Sequence, residues 1–306
     1  MAISAKDVME LRKQTDCGMM ECKKALTEAN GDFAKAVELL RERGLATAAK
    51  KAGRIAAEGM VYADYCSECK VGVVIEVNAE TDFVAKNDKF VAFVKDAAKV
   101  IMQENPADVE ALMGCKMGDG TVDDALKQLI LVIKENIKVR RFVRYEGPCA
   151  AYVHGGGTHA VLVSFDTSEE VAAKEGFAAY GKDIAMQIAA ANPGYVDQAN
   201  VPAAVVDKEK EIMLAQMAAD PKNAKKPDAV KAKVVEGKIK KFYKENCLLE
   251  QEFVKDGDMT VAQYTAKVAK ELGGEISIVK FTRFQKGEGL EKRSDDFASE
   301  VASMVK

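Results

Sequence analysis

The chain has no tryptophan and only two histidines, His154 and His159, among 306 residues. Two imidazoles cannot build a three-histidine metal site. It also lacks a charge excess: 45 basic side chains face 48 acidic ones, for a net charge of −3. A general polyanion binder is expected to carry a strong basic surplus, so direct nucleic-acid binding is not expected. No stretch approaches the ~20 apolar residues of a membrane span, and the amphipathic N-terminus has no signal-peptide core. Motifs are missing too. There is no G-x-x-x-x-G-K-[ST] loop, no G-x-G-x-x-G after a strand, no G-x-S-x-G and no H-E-x-x-H. Gly155-Gly156-Gly157 falls between two strand-like segments and reads as a tight turn. The histidines flanking it have no carboxylate nearby in sequence to orient a general base. These absences predict a binding protein without catalytic side chains, metal or cofactor of its own.

What is present begins with seven cysteines. Their odd number in a long chain argues against a secreted disulfide framework. Cys66-Ser-Glu-Cys69 is a lone C-x-x-C with no second ligand pair, and is read as reduced structural thiols ahead of metal or redox chemistry. The expectation is a soluble protein of a reducing cytoplasm. A hydrophobic share of 48% is normal for a globular chain. The length suggests about two domains, or several small ones.

The first 45 residues read as three short helices. Ser4 and Asp7 make a weak capping box before Val8 and Leu11. Gly18 interrupts, and a second helix from about Met20 carries Cys22, Ala25, Leu26 and Ala29. Asn30-Gly31 stops it, and Asp32 caps a third with Phe33, Ala36, Val37 and Leu40, which Gly44 is expected to end. Met19 and Met20, at a helix entrance, suit either a docking patch or core packing. Residues 46–57 read as a helical linker.

The body repeats. Phe90, Ala92, Lys95, Asp96 and Ala98 match Phe177, Ala179, Lys182, Asp183 and Ala185 at a constant offset, which also pairs Asn105-Pro106 with Asn192-Pro193. A strand precedes each helix (71–77 and 159–165), with another before that (60–65 and 150–153). A third strand, 139–147 or 279–287, comes near the end of each copy. Alternation of apolar and basic residues gives it one wet face. The fold class is therefore α+β: a three-helix module, then a duplicated core of antiparallel three-stranded sheets with helices. A helical hairpin arm and a C-terminal helix complete it. The assigned boundaries are 1–45, linker 46–57, core copies 58–145 and 146–200 with 246–286, arm 201–245, and C-terminal module 287–306. The arm's return helix is basic, with nine lysines from Lys222 to Lys244. This is read as a solvated face ahead of contact with an acidic partner. Phe297, Val301 and Val305 form an i, i+4, i+8 stripe that must dock on something.

One junction carries more. Strand 71–77 leads through Asn78-Ala79-Glu80 to Thr81-Asp82-Phe83-Val84. Thr81 or Asp82 is a plausible N-cap for the helix carrying Phe90. Phe83 then reads either as a core residue of a first turn or as an aromatic wedge at an interface.

Glu76-Val-Asn-Ala-Glu-Thr-Asp-Phe-Val-Ala-Lys86 strongly resembles the second signature of the elongation factor Ts family. Leu11-Arg-Lys-Gln-Thr-Asp-Cys-Gly-Met-Met-Glu-Cys-Lys-Lys-Ala-Leu26 resembles its first. Small departures are Asp16-Cys17 and Ala79. The resemblance covers the whole chain and makes the N-terminal helices a ubiquitin-associated-like module. It implies a guanine nucleotide exchange factor in translation elongation, binding elongation factor Tu in its GDP-bound and nucleotide-free states. Thr81, Asp82, Phe83 and Val84 would enter the partner's GTPase domain and dislocate its magnesium. Met19 and Met20 would contact the same domain, and His154 and Gly155 another domain. The C-terminal segment would touch the GTPase domain again. The 201–245 arm resembles one that some members use for self-association, which carries the expectation of a homodimer. Two other readings compete: an adaptor binding helices or ubiquitin-like partners, and an RNA-binding protein using Arg140, Arg141, Arg144 and the lysine-rich arm. A small enzyme built on Cys66/Cys69 or His154/His159 is a more distant one.

Overall fold

The computed structural model describes residues 3–220 and 226–291. Helix α1 (Ala5–Thr15) starts where Ser4 Oγ accepts from the Asp7 amide and Asp7 accepts from the Ser4 amide at 3.0 Å. Helix α2 (Met19–Glu28) ends ahead of Asn30 and Gly31, which take φ of 53° and 90°. Such left-handed values are what a helix stop requires. Asp32 then caps α3 through the Lys35 amide at 3.1 Å. Val8, Leu11, Cys22, Ala25, Leu26, Ala36 and Leu40 close a small core.

Helix α3 (Phe33–Lys51) does not stop at Gly44. It runs on through the first half of segment 46–57, which is helical there as expected but continuous with α3. Gly44 serves a close approach: a β-carbon there would lie 3.3 Å from the Lys127 carbonyl oxygen. The element it meets is α6 (Val122–Ile133), whose Leu131 joins the N-terminal core. A core this small is marginal alone, and this crossing enlarges it.

The first sheet contains β1 (Glu58–Cys66), β2 (Val71–Ala79) and β5 (Lys138–Glu146), in the order β1-β2-β5. The second has β6 (Cys149–His154), β7 (His159–Thr167) and β10 (Ile276–Gln285), in the order β10-β7-β6. All these pairings are antiparallel. Helix α4 (Asp88–Glu104) lays Phe90, Val94 and Ile101 on the first sheet. Helix α8 (Glu175–Ala191), which follows the short α7 (Glu169–Ala172), lays Phe177, Tyr180, Ile184 and Ile188 on the second. Both long helices end on an asparagine with φ of 47°, Asn105 and Asn192.

The repeat extends further than the sequence reading followed it. After α5 (Val109–Gly114), a small hairpin of β3 (Lys116–Met117) and β4 (Gly120–Thr121) precedes α6. In the second copy, β8 (Glu252–Phe253) and β9 (Asp256–Thr260) precede a helix of the same length, Val261–Leu272, called α11 below. Thr121 and Thr260 cap these helices with matching capping boxes. The arm, α9 (Ala203–Ala219) and α10 (Asp228–Asn246), is inserted between α8 and this second hairpin. It closes on Met217, Val235 and Ile239.

The two sheets meet through Val61, Ala63, Val74, Tyr145, Cys149, Ala160, Leu162 and Phe284. Val61, Val74 and Leu162 are fully buried, each contributing about 1.5–3 kcal/mol by leaving water. A β-carbon at Gly72 would lie 2.5 Å from Leu162, so the sheets approach where that glycine allows. No described helix is long and apolar enough to cross a membrane. The expected C-terminal helix with Phe297, Val301 and Val305, and the arm's Pro221 turn, lie outside the described residues.

Candidate functional site

Strand β2 is buried along its whole length, so the chain leaves the core only after Ala79. The turn that follows is tied down before it reaches solvent. Glu80 accepts from the Asn136 amide at 2.6 Å, and Asn136 Nδ2 donates to the Arg54 carbonyl at 2.8 Å. Thr81 donates through its amide at 2.9 Å and its hydroxyl at 2.6 Å to the two carboxylate oxygens of Glu135. Charge-assisted bonds of this kind are short and strong. On the far side Val84 is buried and begins a short helical turn, Val84–Lys86.

The N-cap of α4 is Asn87, which accepts from the Lys89 amide at 3.0 Å; neither Thr81 nor Asp82 has that role. The helix therefore begins later than the sequence suggested. The residues between the Thr81 latch and the Val84 anchor project outward. Asp82 is exposed, and Phe83 is 81% exposed, which rules out a place in the core. A large apolar ring held in water on a braced turn loses little conformational freedom when a partner covers it.

Two other segments share this end of the molecule. The α1–α2 turn reaches the start of α4 through an Asp16–Lys89 ion pair at 3.1 Å. Gln128 Nε2 also donates to the Thr15 carbonyl at 3.2 Å. Helix α2 starts there, with Met19 42% and Met20 65% exposed, so these methionines are surface and not core. The β6–β7 hairpin tip is the other. Its Gly155, Gly156 and Gly157 have φ of 58°, 64° and 98°, a run of left-handed values that glycine adopts without steric cost. Gly157 accepts from the Val61 amide at 2.9 Å, close to the start of β1. Glu58, where β1 starts, pairs with Ala79, where β2 ends, so the tip lies on the side from which the Phe83 turn departs. His154 is exposed, its Nδ1 3.0 Å from the Tyr152 hydroxyl. His159 is half-buried, and burial, with Arg283 adding, pushes its pKa below the ordinary histidine value.

Beneath these segments lies a residue whose role was not read from the sequence. Glu76 is fully buried in β2. It accepts from Arg140 Nη1 at 3.1 and 3.2 Å, Arg141 Nε at 2.6 Å, Asn78 Nδ2 at 3.1 Å and the Gly287 amide at 2.8 Å. The two arginines continue to Glu288 at 2.7 and 3.1 Å. Lys286 pairs with Glu58. One buried carboxylate thus ties the first sheet to the chain leaving β10. It corrects the reading of β5 as a strand with a wet basic face: Arg140 and Arg141 turn onto Glu76. A glutamate inside the apolar run of β2, opposite a strand carrying two adjacent arginines, was the available signal. Cys66 and Cys69 lie apart from this site, since Cys66 pairs with Val71 at the other end of the β1–β2 hairpin.

A family model described as Elongation factor TS matches residues 80–288. The chain is 48% identical over 308 residues to Elongation factor Ts of Clostridium perfringens, covering 99% of each chain. It is 48% identical over 311 residues to Elongation factor Ts of Syntrophotalea carbinolica, with full coverage of both. It is also 48% identical over 304 residues to Elongation factor Ts of Symbiobacterium thermophilum, covering 98% of this chain and 97% of that protein.

Proposed function

The chain belongs to the elongation factor Ts family, and on that premise we propose that it is the guanine nucleotide exchange factor for elongation factor Tu. It has this role in cytoplasmic translation elongation and performs no chemical conversion itself. The observation that carries the reading is Phe83, held in water between a latched Thr81 and a buried Val84. Phe83 and Asp82 enter the partner's GTPase domain and disturb its magnesium and phosphate site. Thr81 and Val84 hold the turn in place. Met19 and Met20 extend the contact along the first helices, which act as a ubiquitin-associated-like module. His154 and Gly155 meet another domain of the partner. The segment beyond residue 287 touches the GTPase domain again, and the arm associates with a second copy.

Exchange is a coupling between two ligands of one partner. A factor that favours the nucleotide-free GTPase lowers its affinity for GDP, and by reciprocity nucleotide lowers affinity for the factor. GTP binding therefore displaces it. Speeding release by ~10⁴ needs a barrier lower by about 5.5 kcal/mol. Burying one phenylalanine supplies only about 1.5–3 kcal/mol. The remainder comes from lost magnesium coordination and shifts around the phosphates.

The RNA-binding alternative loses its strand, because Arg140 and Arg141 are engaged by Glu76 and Arg144 by Glu146 at 2.5 Å. The adaptor alternative is separated by retention of this protein on immobilised elongation factor Tu. An exchange factor is retained without nucleotide and eluted by excess GDP. Retention indifferent to GDP would overturn the proposal.

A further inference from the structure

The β1–β2 hairpin carries two cysteines at its far tip. Cys66 is the last residue of β1, and Cys69 lies three residues on, in the turn 67–70. The two face one another. The Cys69 amide donates to Cys66 Sγ at 3.2 Å, and the Cys69 thiol donates to the Cys66 carbonyl at 3.9 Å. Each cysteine thus has its sulfur within 4 Å of the other's backbone, the close approach that a disulfide between them needs. Cys69 is exposed and Cys66 half-buried, so a small solute reaches the pair. The turn is held from outside: the Lys70 carbonyl accepts from the Gly147 amide at 2.9 Å, and the Lys70 side chain pairs with Glu169.

The other five cysteines are arranged differently. Cys17, Cys22, Cys149 and Cys247 are buried, and Cys115 is half-buried with its thiol donated to the Ala111 carbonyl at 3.4 Å. Burial pushes the Cys17 thiol up, and those of Cys149 and Cys247 up to about 11. At the hairpin, hydrogen bonds act oppositely on the two partners. The Cys69 thiol, then its amide, hold Cys66 below the ordinary thiol range, while the same contact raises Cys69. A lowered, accessible thiolate beside a second thiol is the arrangement that reacts with disulfides. Among the described residues no group of three histidine, cysteine or acidic side chains is placed to hold a metal ion, so the pair has no third ligand.

We propose that Cys66 and Cys69 form a reversible dithiol–disulfide couple, with Cys66 as the attacking thiolate and Cys69 as the resolving thiol. The oxidant is a low-molecular-weight disulfide. The Cys66 thiolate attacks one of its sulfurs, forming a mixed disulfide and expelling one thiolate. Cys69 then loses its proton and attacks the Cys66 sulfur, closing the Cys66–Cys69 bond and expelling the second thiolate. Two electrons pass from the cysteine pair to the oxidant, and its two thiolates take up the two protons. The couple lies at the end of β1 opposite the Phe83 turn, so it is a function separate from nucleotide exchange.

The test is to equilibrate the full-length protein in mixtures of reduced glutathione and glutathione disulfide. Free thiols are then alkylated and the peptides read by mass spectrometry. The expected result is a Cys66–Cys69 cross-link that grows with the oxidised fraction and reverses on reduction, while the buried cysteines stay alkylatable only after unfolding. Cys69→Ser should stop at a glutathione adduct on Cys66. Cys66→Ser should leave Cys69 at least tenfold less modified. Circular dichroism checks that both variants fold. Two free thiols in fully oxidised glutathione, or equal adducts in the two variants, would overturn the proposal.

Discussion

Phe83 stays in water because its neighbours are already satisfied. Glu135 takes both donors of Thr81, and Val84 is sunk in the first core, so the intervening residues have no inward path. The orientation of Phe83 therefore depends on a carboxylate 52 residues further on in sequence. Glu135→Ala should free the Thr81 amide, since a hydrogen bond to a charged group contributes roughly 1.5–3 kcal/mol. Hydrogen exchange at Thr81 should quicken about tenfold or more while the global unfolding midpoint moves little, and GDP release should slow. At the neighbouring hairpin, His159 has its pKa lowered from 6.5 by burial and by Arg283. The unfolded chain therefore binds the proton more readily. Stability present above the ordinary histidine value is lost as pH falls towards the lowered folded value. Melting temperatures measured between neutrality and about pH 5 should show wild type losing more than His159→Asn.

At the scale of elements, much was legible because the patterns are local. The Asn105 and Asn192 stops, the Ser4 and Asp32 caps and the two hairpins depend on residues within a turn of one another, and all appear in the structure. Gly44 was misread because its reason is not local. In sequence it resembles a helix end; in space it lets α3 cross α6 with a β-carbon's distance of only 3.3 Å to Lys127. Gly44→Val should push the helices apart and destabilise the N-terminal helices by about 1–3 kcal/mol, as overpacking does. Chemical denaturation followed at the first helices should register the loss, with the duplicated core changed less. Helix α11 was missed for a related reason: the arm interrupts the constant offset that revealed the first half of the repeat. The candidate site was legible as a signature. Its support from Glu76, Glu135 and Asn136 was not, because those contacts join segments brought together only by folding.

At the scale of the molecule, the scarcity of histidine and the balanced charge find a common account. Under the proposed function, the chemistry of exchange, nucleotide and magnesium, belongs to the partner, and this chain supplies a shaped edge. That edge is assembled from the Phe83 turn, the α2 entrance and the β6–β7 tip, which the fold gathers at one end while the cysteine hairpin points the other way. The central claim is that Phe83 acts as a wedge supplying part of the drop in the barrier to GDP release. Stopped-flow release of a fluorescent GDP from elongation factor Tu, with wild type and Phe83→Ala at equal concentration, tests it most directly. A side chain 81% exposed contributes little to the fold, so the variant should keep its melting temperature. Its release rate should fall by roughly 10–150-fold, the equivalent of about 1.5–3 kcal/mol, while staying above that of the GTPase alone. Release as fast as with wild type would contradict the account.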